Sequence, residues 1–295
     1  MPAPLVARAP AKVNLTLRVF GSRADGLHEI ESLVVFAALA DSLSLESAGS
    51  PGLDLKGPMR QACGPAAGNL VLKAARALAA QIPNLRLGHF ILFKRIPVAA
   101  GLGGGSADAA AALRLLAAAN GLALDDPRLM QAARQTGADV PVCLDPRPRM
   151  LRGAGEVLSE PLKLPRLAAM LVNPGAALET KEVFAAFDRL QGAAKTPANI
   201  GGGRQDVPRQ RAALFDWLAT QSNDLEAAAI SLRPGIGDVL AALRALPQCR
   251  LARMSGSGAT CFALCDSAAA ATQAARALRA AYPQWWIRTA SLGAA

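Results

Sequence analysis

The sequence predicts a two-domain protein built of both strands and helices, and three observations predict it. The chain has 295 residues, enough to build two separate cores. Hydrophobic residues make up 52% and charged residues 18%, the balance of a folded globular protein. Apolar runs of strand length recur among alanine- and leucine-rich segments of helix length, with glycine- and proline-rich turns between them. A glycine bend at Arg152-Gly153-Ala154-Gly155-Glu156 sets the expected boundary, giving domains over 1–155 and 156–295. Aromatics are only 4%, so alanine, leucine and valine must do most of the packing.

Residues 5–20 partly alternate and read as one or two strands. Lys12 and Asn14 are two apart there and share one face of an extended segment. Asp25-Gly26 is a turn signal for a hairpin that leads into Leu27 and His28. Residues 33–45 read as further strand, with Asp41-Ser42 as a break, and 50–65 as a polar loop. A helix over 72–80 follows Asn69 and Leu70, and a strand over 90–94 ends at Lys94. The alanine-rich helix over 107–119 stops at Asn120-Gly121, and another helix covers 127–135. In the second half, 167–172 reads as a strand, and Thr180, Val183 and Phe184 lie on the helical segment after it. Residues 195–209 form the segment expected to be most mobile. Asn223 opens a helix, Ser255-Gly256-Ser257-Gly258 precedes a strand over 261–264, and a helix (268–280) and a strand (286–290) finish the chain.

The most informative stretch is Pro97-Val98-Ala99-Ala100-Gly101-Leu102-Gly103-Gly104-Gly105-Ser106-Ala107, which joins the 90–94 strand to the alanine-rich helix. Four glycines in the five positions 101–105 leave the backbone uncovered, so a ligand can approach its N–H groups directly. Ser106 suits an N-cap, and the helix behind it presents a positive dipole end. Phosphate is the usual occupant of such a site. No lysine follows Gly105, so this is not a P-loop, and Ser106 stands where a dinucleotide fingerprint needs its last glycine.

The net charge of +10 suits a polyanionic partner, but it is spread in ones and twos with no aromatics interleaved, so a nucleic-acid surface has little support. Five cysteines lack C-x-x-C spacing, and there are only two histidines, so reduced thiols are expected and no metal ligand is assigned. No signal peptide or membrane span is read, which points to a cytoplasmic protein. Asp139, in Thr136-Gly137-Ala138-Asp139-Val140-Pro141, sits in an otherwise apolar bend where an isolated carboxylate needs a cation or a ligand.

The Pro-x-x-x-Gly-Leu-Gly-Gly-Gly-Ser stretch resembles the motif of the GHMP kinases (galactose, homoserine, mevalonate and phosphomevalonate kinases and their relatives). Ala11-Lys12-Val13-Asn14-Leu15, Asp25-Gly26-Leu27-His28-Glu29, Gly137-Ala138-Asp139-Val140-Pro141 and Asn223-Asp224-Leu225-Glu226 extend the resemblance over most of the chain. They point to the branch acting on a cytidine diphosphate-linked methylerythritol. The resemblance implies a two-domain fold, with a ribosomal protein S5-like domain at the amino terminus and an α+β domain at the carboxy terminus. It implies ATP and Mg2+ as cofactors and a cleft where ATP and substrate meet. Lys12 and Asp139 are then the catalytic pair. Asn69, Leu70, Lys94 and the 97–107 loop hold the nucleotide, while Asn14, Leu27, His28, Asp139, Thr180 and Phe184 contact the substrate. Leu27 stands where the family generally has tyrosine. The expected partner is a small molecule, without nucleic acid or membrane, and the chain is expected to be a monomer or weak homodimer. The alternatives at this point are a homoserine- or phosphomevalonate-type kinase, a basic S5-like RNA-binding protein, and a regulatory ATP sensor without activity.

Overall fold

A computed structural model describes residues 3–47, 50–191 and 206–293. The first half of the chain runs through β1 (Leu5–Asn14), β2 (Arg18–Ser22), β3 (His28–Glu46), β4 (Gly52–Lys56), α1 (Leu70–Ala79), β5 (His89–Phe93), α2 (Gly104–Asn120), α3 (Pro127–Thr136) and α4 (Val140–Leu144). The second half runs through β6 (Arg149–Gly153), β7 (Val157–Leu158), β8 (Leu167–Asn173), α5 (Thr180–Gln191), α6 (Arg211–Ala219), α7 (Glu226–Leu232), α8 (Gly235–Arg244), β9 (Cys249–Met254), β10 (Cys261–Cys265), α9 (Ala268–Ala281) and β11 (Trp286–Gly293). The expected segment 195–205 lies outside the described residues.

The chain forms two compact units, and it passes between them more than once. The first unit comprises Met1–Lys12, Leu39–Val98 and Gly103–Pro146; the second comprises Val13–Ala38, Ala99–Leu102 and Arg147–Ala295. The chain enters the second unit for good at Arg147, near the glycine bend at Arg152.

In the first unit the end of β3 pairs antiparallel with β5, from Ser42↔Phe93 to Glu46↔His89. β4 lies parallel to β5, with Leu53 opposite Phe90. Two parallel neighbours need a crossover, and α1 supplies it. α1 packs on α2 and α3, and α4 packs on α2. The core holds Leu43, Leu45, Val71, Leu78, Phe90, Leu92, Ile96, Leu113 and Leu116, all fully buried or nearly so. α2 is buried along 107–113 and 115–117, and its alanines allow close helix contact. Its end follows the sequence: Gly121 takes the left-handed conformation and its N–H bonds back to Ala117 and Ala118.

In the second unit β2 and the start of β3 make the expected hairpin, with Ser22 opposite His28. β6 pairs antiparallel with β3 from Ile30↔Gly153 to Val34↔Arg149. β11, β8, β10 and β9 form an antiparallel run in that order. Beside them a core gathers Met170, Val172, Val183, Phe187, Ile236, Leu240, Met254, Ala275 and Ile287.

Three local expectations are corrected. Asp41-Ser42 does not break a strand, because β3 runs unbroken through it; Asp41 is 1% exposed and hydrogen-bonded, so it fits the strand as a partnered buried charge. The 50–65 loop contains β4. α2 begins at Gly104, not at Ala107; its N-cap is Gly103 (φ 58°, ψ 22°), and Ser106 is already in the first turn. Glycine reaches that left-handed conformation without the Cβ penalty, which lets the helix start three residues early. Three of the five cysteines, all free, are buried, and burial pushes the Cys143 thiol up to about 12.

Candidate active site

The first unit assembles a lysine, a carboxylate and a helix N-terminus. Lys12, near the end of β1, bonds through Nζ to Asp139 Oδ1 at 2.9 Å. Asp139 stands immediately before α4, whose Pro141 lies in the first turn. The pair is asymmetric: the Lys12 side chain is 6% exposed and that of Asp139 is 40%. The ammonium is held inside while the carboxylate keeps an open side. The Lys12 stem also lies against the glycine loop, since a Cβ at Gly103 would sit 3.1 Å from Lys12 Cε.

At Gly103–Ser106 the first intrahelical bond runs from Ala107 N–H to Gly103 O. Among the described residues no acceptor takes the N–H groups of Gly104, Gly105 or Ser106, and no side chain caps the helix. Gly105 is exposed and Ser106 half-buried. Bare N–H groups at the positive end of a 17-residue helix form an anion site. The residues present therefore fit a phosphate chain. Leu70 lies beside this turn, 3.3 Å from where a Gly105 Cβ would stand. Asn69 caps α1, its Oδ1 accepting from Val71 N–H.

The middle of the loop belongs to the second unit. Ala99 has φ 50°, a backbone state that side chains disfavour, and its carbonyl accepts from Leu178 N–H. Ala100 O accepts from Thr260 N–H, and Gly101 O accepts from Ser255 Oγ. A Cβ at Gly101 would run into Ser255 O and come within 2.7 Å of Gly258 O, so only glycine fits. The side chains of Ala100, Leu102 and Ala107 are buried, whereas Pro97 and Val98 are half-buried and Ala99 is exposed.

The Lys94 ammonium is taken up by two carboxylates inside the fold. Its Nζ lies 2.6 Å from both Asp41 Oδ2 and Asp108 Oδ2, and the three side chains are 3%, 0% and 2% exposed. Asp41 Oδ1 also accepts from the N–H groups of Arg95 and Ile96. Burial lowers the Lys94 pKa, but the charges of Asp108 and Asp41 more than offset this and hold it above the ordinary value. Burial, opposed by the Lys94 ammonium and aided by Asp41, pushes Asp108 up to about 7. The Lys94 ammonium is sealed under the first turn of α2, where a Gly104 Cβ would stand 3.0 Å from it, so a nucleotide could meet Lys94 only through other atoms.

The second unit carries the remaining expected residues. Asn14 is buried; its Nδ2 donates to Ser32 Oγ at 2.7 Å, Ser32 donates on to Thr16 O, and Asn14 N–H donates to Ser255 Oγ. Asn14 Oδ1 is buried and has no partner among the described residues, so it lacks a donor. His28 stacks on Phe184, with ring centroids 4.5 Å apart, and its Nε2 lies 2.8 Å from Asp188 Oδ1. Leu27 is 53% exposed beside it. Thr180 and Ser257 share a hydroxyl–hydroxyl bond of 2.9 Å.

Sequence reasoning missed Asp41, Asp108, Asp188, Ser32 and Ser255. Asp108 carried a signal, as a lone charge inside an alanine-rich helix, which a buried helix tolerates only with a partner. Asp188 carried none, being 160 residues from His28. Among the described residues there is no group of three His, Cys, Asp or Glu side chains able to hold a metal ion.

Two family models match the chain: the GHMP kinases N terminal domain over residues 69–145 and the GHMP kinases C terminal over 204–284. The 4-diphosphocytidyl-2-C-methyl-D-erythritol kinase of Xanthobacter autotrophicus is 55% identical over 283 residues, covering 96% of this chain and 97% of its own. The enzyme of that name from Methylobacterium radiotolerans is also 55% identical, with the same coverage. A crystal structure of 4-(cytidine 5'-diphospho)-2C-methyl-D-erythritol kinase superposes with a TM-score of 0.76 at 35% identity, over 99% of this chain and 100% of that one. Homoserine kinase from Cytophaga hutchinsonii gives 0.73 at 20% identity over 100% and 96%, a likeness of fold.

Proposed function

The chain belongs to the GHMP kinase family, and on that premise we propose that it uses ATP to phosphorylate the 2-hydroxyl of 4-diphosphocytidyl-2-C-methyl-D-erythritol, a step of non-mevalonate isoprenoid precursor synthesis. Relatives carrying that activity in their names match over nearly the whole chain. The homoserine kinase shares only the fold, and the basic-protein alternative leaves the Lys12–Asp139 pair without a task.

The observation that carries the chemistry is Asp139 held 2.9 Å from the buried Lys12 ammonium, with Gly103 of the phosphate turn against the lysine stem. Asp139 takes the proton of the attacking hydroxyl. Lys12 fixes Asp139 and offsets negative charge on the phosphoryl group in transfer. The N–H groups of Gly104, Gly105 and Ser106 hold the phosphates, with Leu70, Asn69, Pro97 and Val98 towards the nucleoside. Phosphoryl transfer depends mainly on positioning and charge stabilisation, so this sparse set suffices. Mg2+ would supply further neutralisation of phosphate charge, and no cluster of His, Cys, Asp or Glu among the described residues would hold it. Asn14 offers its Oδ1 to a substrate hydroxyl, while Leu27, His28, Thr180 and Phe184 receive the cytidine end.

No helix among the described residues is long and apolar enough to cross a membrane. We place the reaction in the cytoplasm, catalysed by a monomer or weak homodimer without nucleic acid. ADP release coupled to the cytidyl compound tests the reading. Turnover dependent on that compound is expected, and preferential phosphorylation of homoserine or phosphomevalonate overturns it.

A further inference from the structure

The His28–Asp188 contact has a chemical consequence for which base the enzyme accepts. We propose that Asp188 is a positioning residue that sets the tautomer of His28, and through it the preference for a cytosine over a uracil substrate. This rests on the reading that His28 meets the substrate's base. Nε2 of His28 lies 2.8 Å from Asp188 Oδ1. A carboxylate only accepts, so Nε2 must carry the proton. Turning the ring over would put a C–H against the carboxylate and lose the bond. Phe184 covers one ring face at 4.5 Å, and the His28 side chain is 9% exposed, so the imidazole is held in one orientation. Ser22 Oγ is also near Nε2, at 3.4 Å, and does not compete with the shorter contact.

With the proton on Nε2, Nδ1 of the neutral ring is an acceptor. Among the described residues, no hydrogen bond to Nδ1 is formed. An acceptor selects a donor. Cytosine presents an exocyclic amino group at C4, and uracil presents a carbonyl oxygen there. The first makes a hydrogen bond with Nδ1, and the second sets two lone pairs against each other. Sites built around one hydrogen bond reject the mismatched analogue strongly. Asp188 thereby acts without touching the substrate, much as a second residue orients a histidine ligand.

The test compares kcat/KM for the cytidyl substrate and its uridyl analogue. In Asp188→Ala the cytidyl-to-uridyl ratio falls by about tenfold or more, through the KM of the cytidyl compound, while the KM for ATP stays put. Asp188→Asn retains a carbonyl acceptor and keeps most of the preference. The chain has only two histidines, so 15N imidazole spectra of the whole protein are assignable. His28 is expected to show a protonated Nε2 and a bare Nδ1 in the wild type, and averaged signals in Asp188→Ala. An unchanged ratio in Asp188→Ala, or equal loss for both substrates, overturns the proposal. So does a wild-type spectrum with the proton on Nδ1, a result that needs no variant to fold. Failure of the wild type to turn over the cytidyl compound strikes the functional reading instead, and leaves the tautomer result standing.

Discussion

Two lysine–aspartate groups in the first unit use the same chemistry to opposite ends. Lys12 and Asp139 form a single pair in which the acid is 40% exposed. Lys94, Asp41 and Asp108 form a cluster in which no side chain exceeds 3% exposure. The open pair leaves a carboxylate that a substrate can reach. The closed cluster keeps its charges inside the fold, with Asp108 Oδ1 unpartnered among the described residues, and fastens the end of β3, the residues after β5 and the first turns of α2. On the proposed reading, access to solvent, not residue type, separates a working carboxylate from a fastening one.

The sharpest way to break this comparison is at its open member. Asp139→Asn keeps an acceptor for Lys12 but cannot take a proton, so kcat is expected to fall by about 10²–10⁴ with the KM for ATP nearly unchanged. Unchanged turnover removes Asp139 from the reaction. At the closed member the loss is in stability. Lys94→Met leaves two buried carboxylates without a cation, at a cost of about 3–5 kcal/mol, read as a lower urea midpoint at constant m.

The closed cluster also has a pH signature. The acid form of Asp108 is favoured in the folded chain, its pKa standing at about 7 against 3.8 for the free side chain. Its stabilising effect is therefore full below the unfolded value and is lost as pH rises towards about 7. Asp108→Asn should flatten that decline in a plot of unfolding free energy against pH, and an identical slope in both proteins would remove Asp108 as its source. The smallest expected effect is at the joint between loop and pair. Gly103→Ala forces a Cβ into a left-handed site at φ 58°, costing about 1–2 kcal/mol, and presses on Lys12. A lower Tm with a raised KM for ATP is expected; wild-type values for both would show that the turn tolerates a side chain.

Much of this architecture was legible where local chemistry decides it. Gly121 stops α2 and Asp25-Gly26 turns the hairpin, each through contacts within a few residues. The Lys12–Asp139 pair was legible by resemblance, and Asp139 separately because a carboxylate in an apolar bend needs a cation or a ligand. The start of α2 was misplaced because a serine suits a cap, while a left-handed glycine can do the same work earlier. Asp41 was misread because Asp-Ser reads as a turn unless its partner, 53 residues on, is known. Asp188 lay beyond any local pattern for the same reason.

The passage of the chain back and forth between units bears on its synthesis. A fragment ending at residue 155 would contain every stretch of the first unit and would keep the β2–β3 and β3–β6 pairings, yet other groups of 13–38 and 99–102 would lack their mates. Ala37 pairs with Leu292, Asn14 N–H waits for Ser255, and Ala100 O waits for Thr260. On a ribosome these particular groups must wait for partners in the last quarter of the chain. Truncation at the glycine bend should therefore yield an aggregating product, whereas the 295-residue chain supplies the late partners itself.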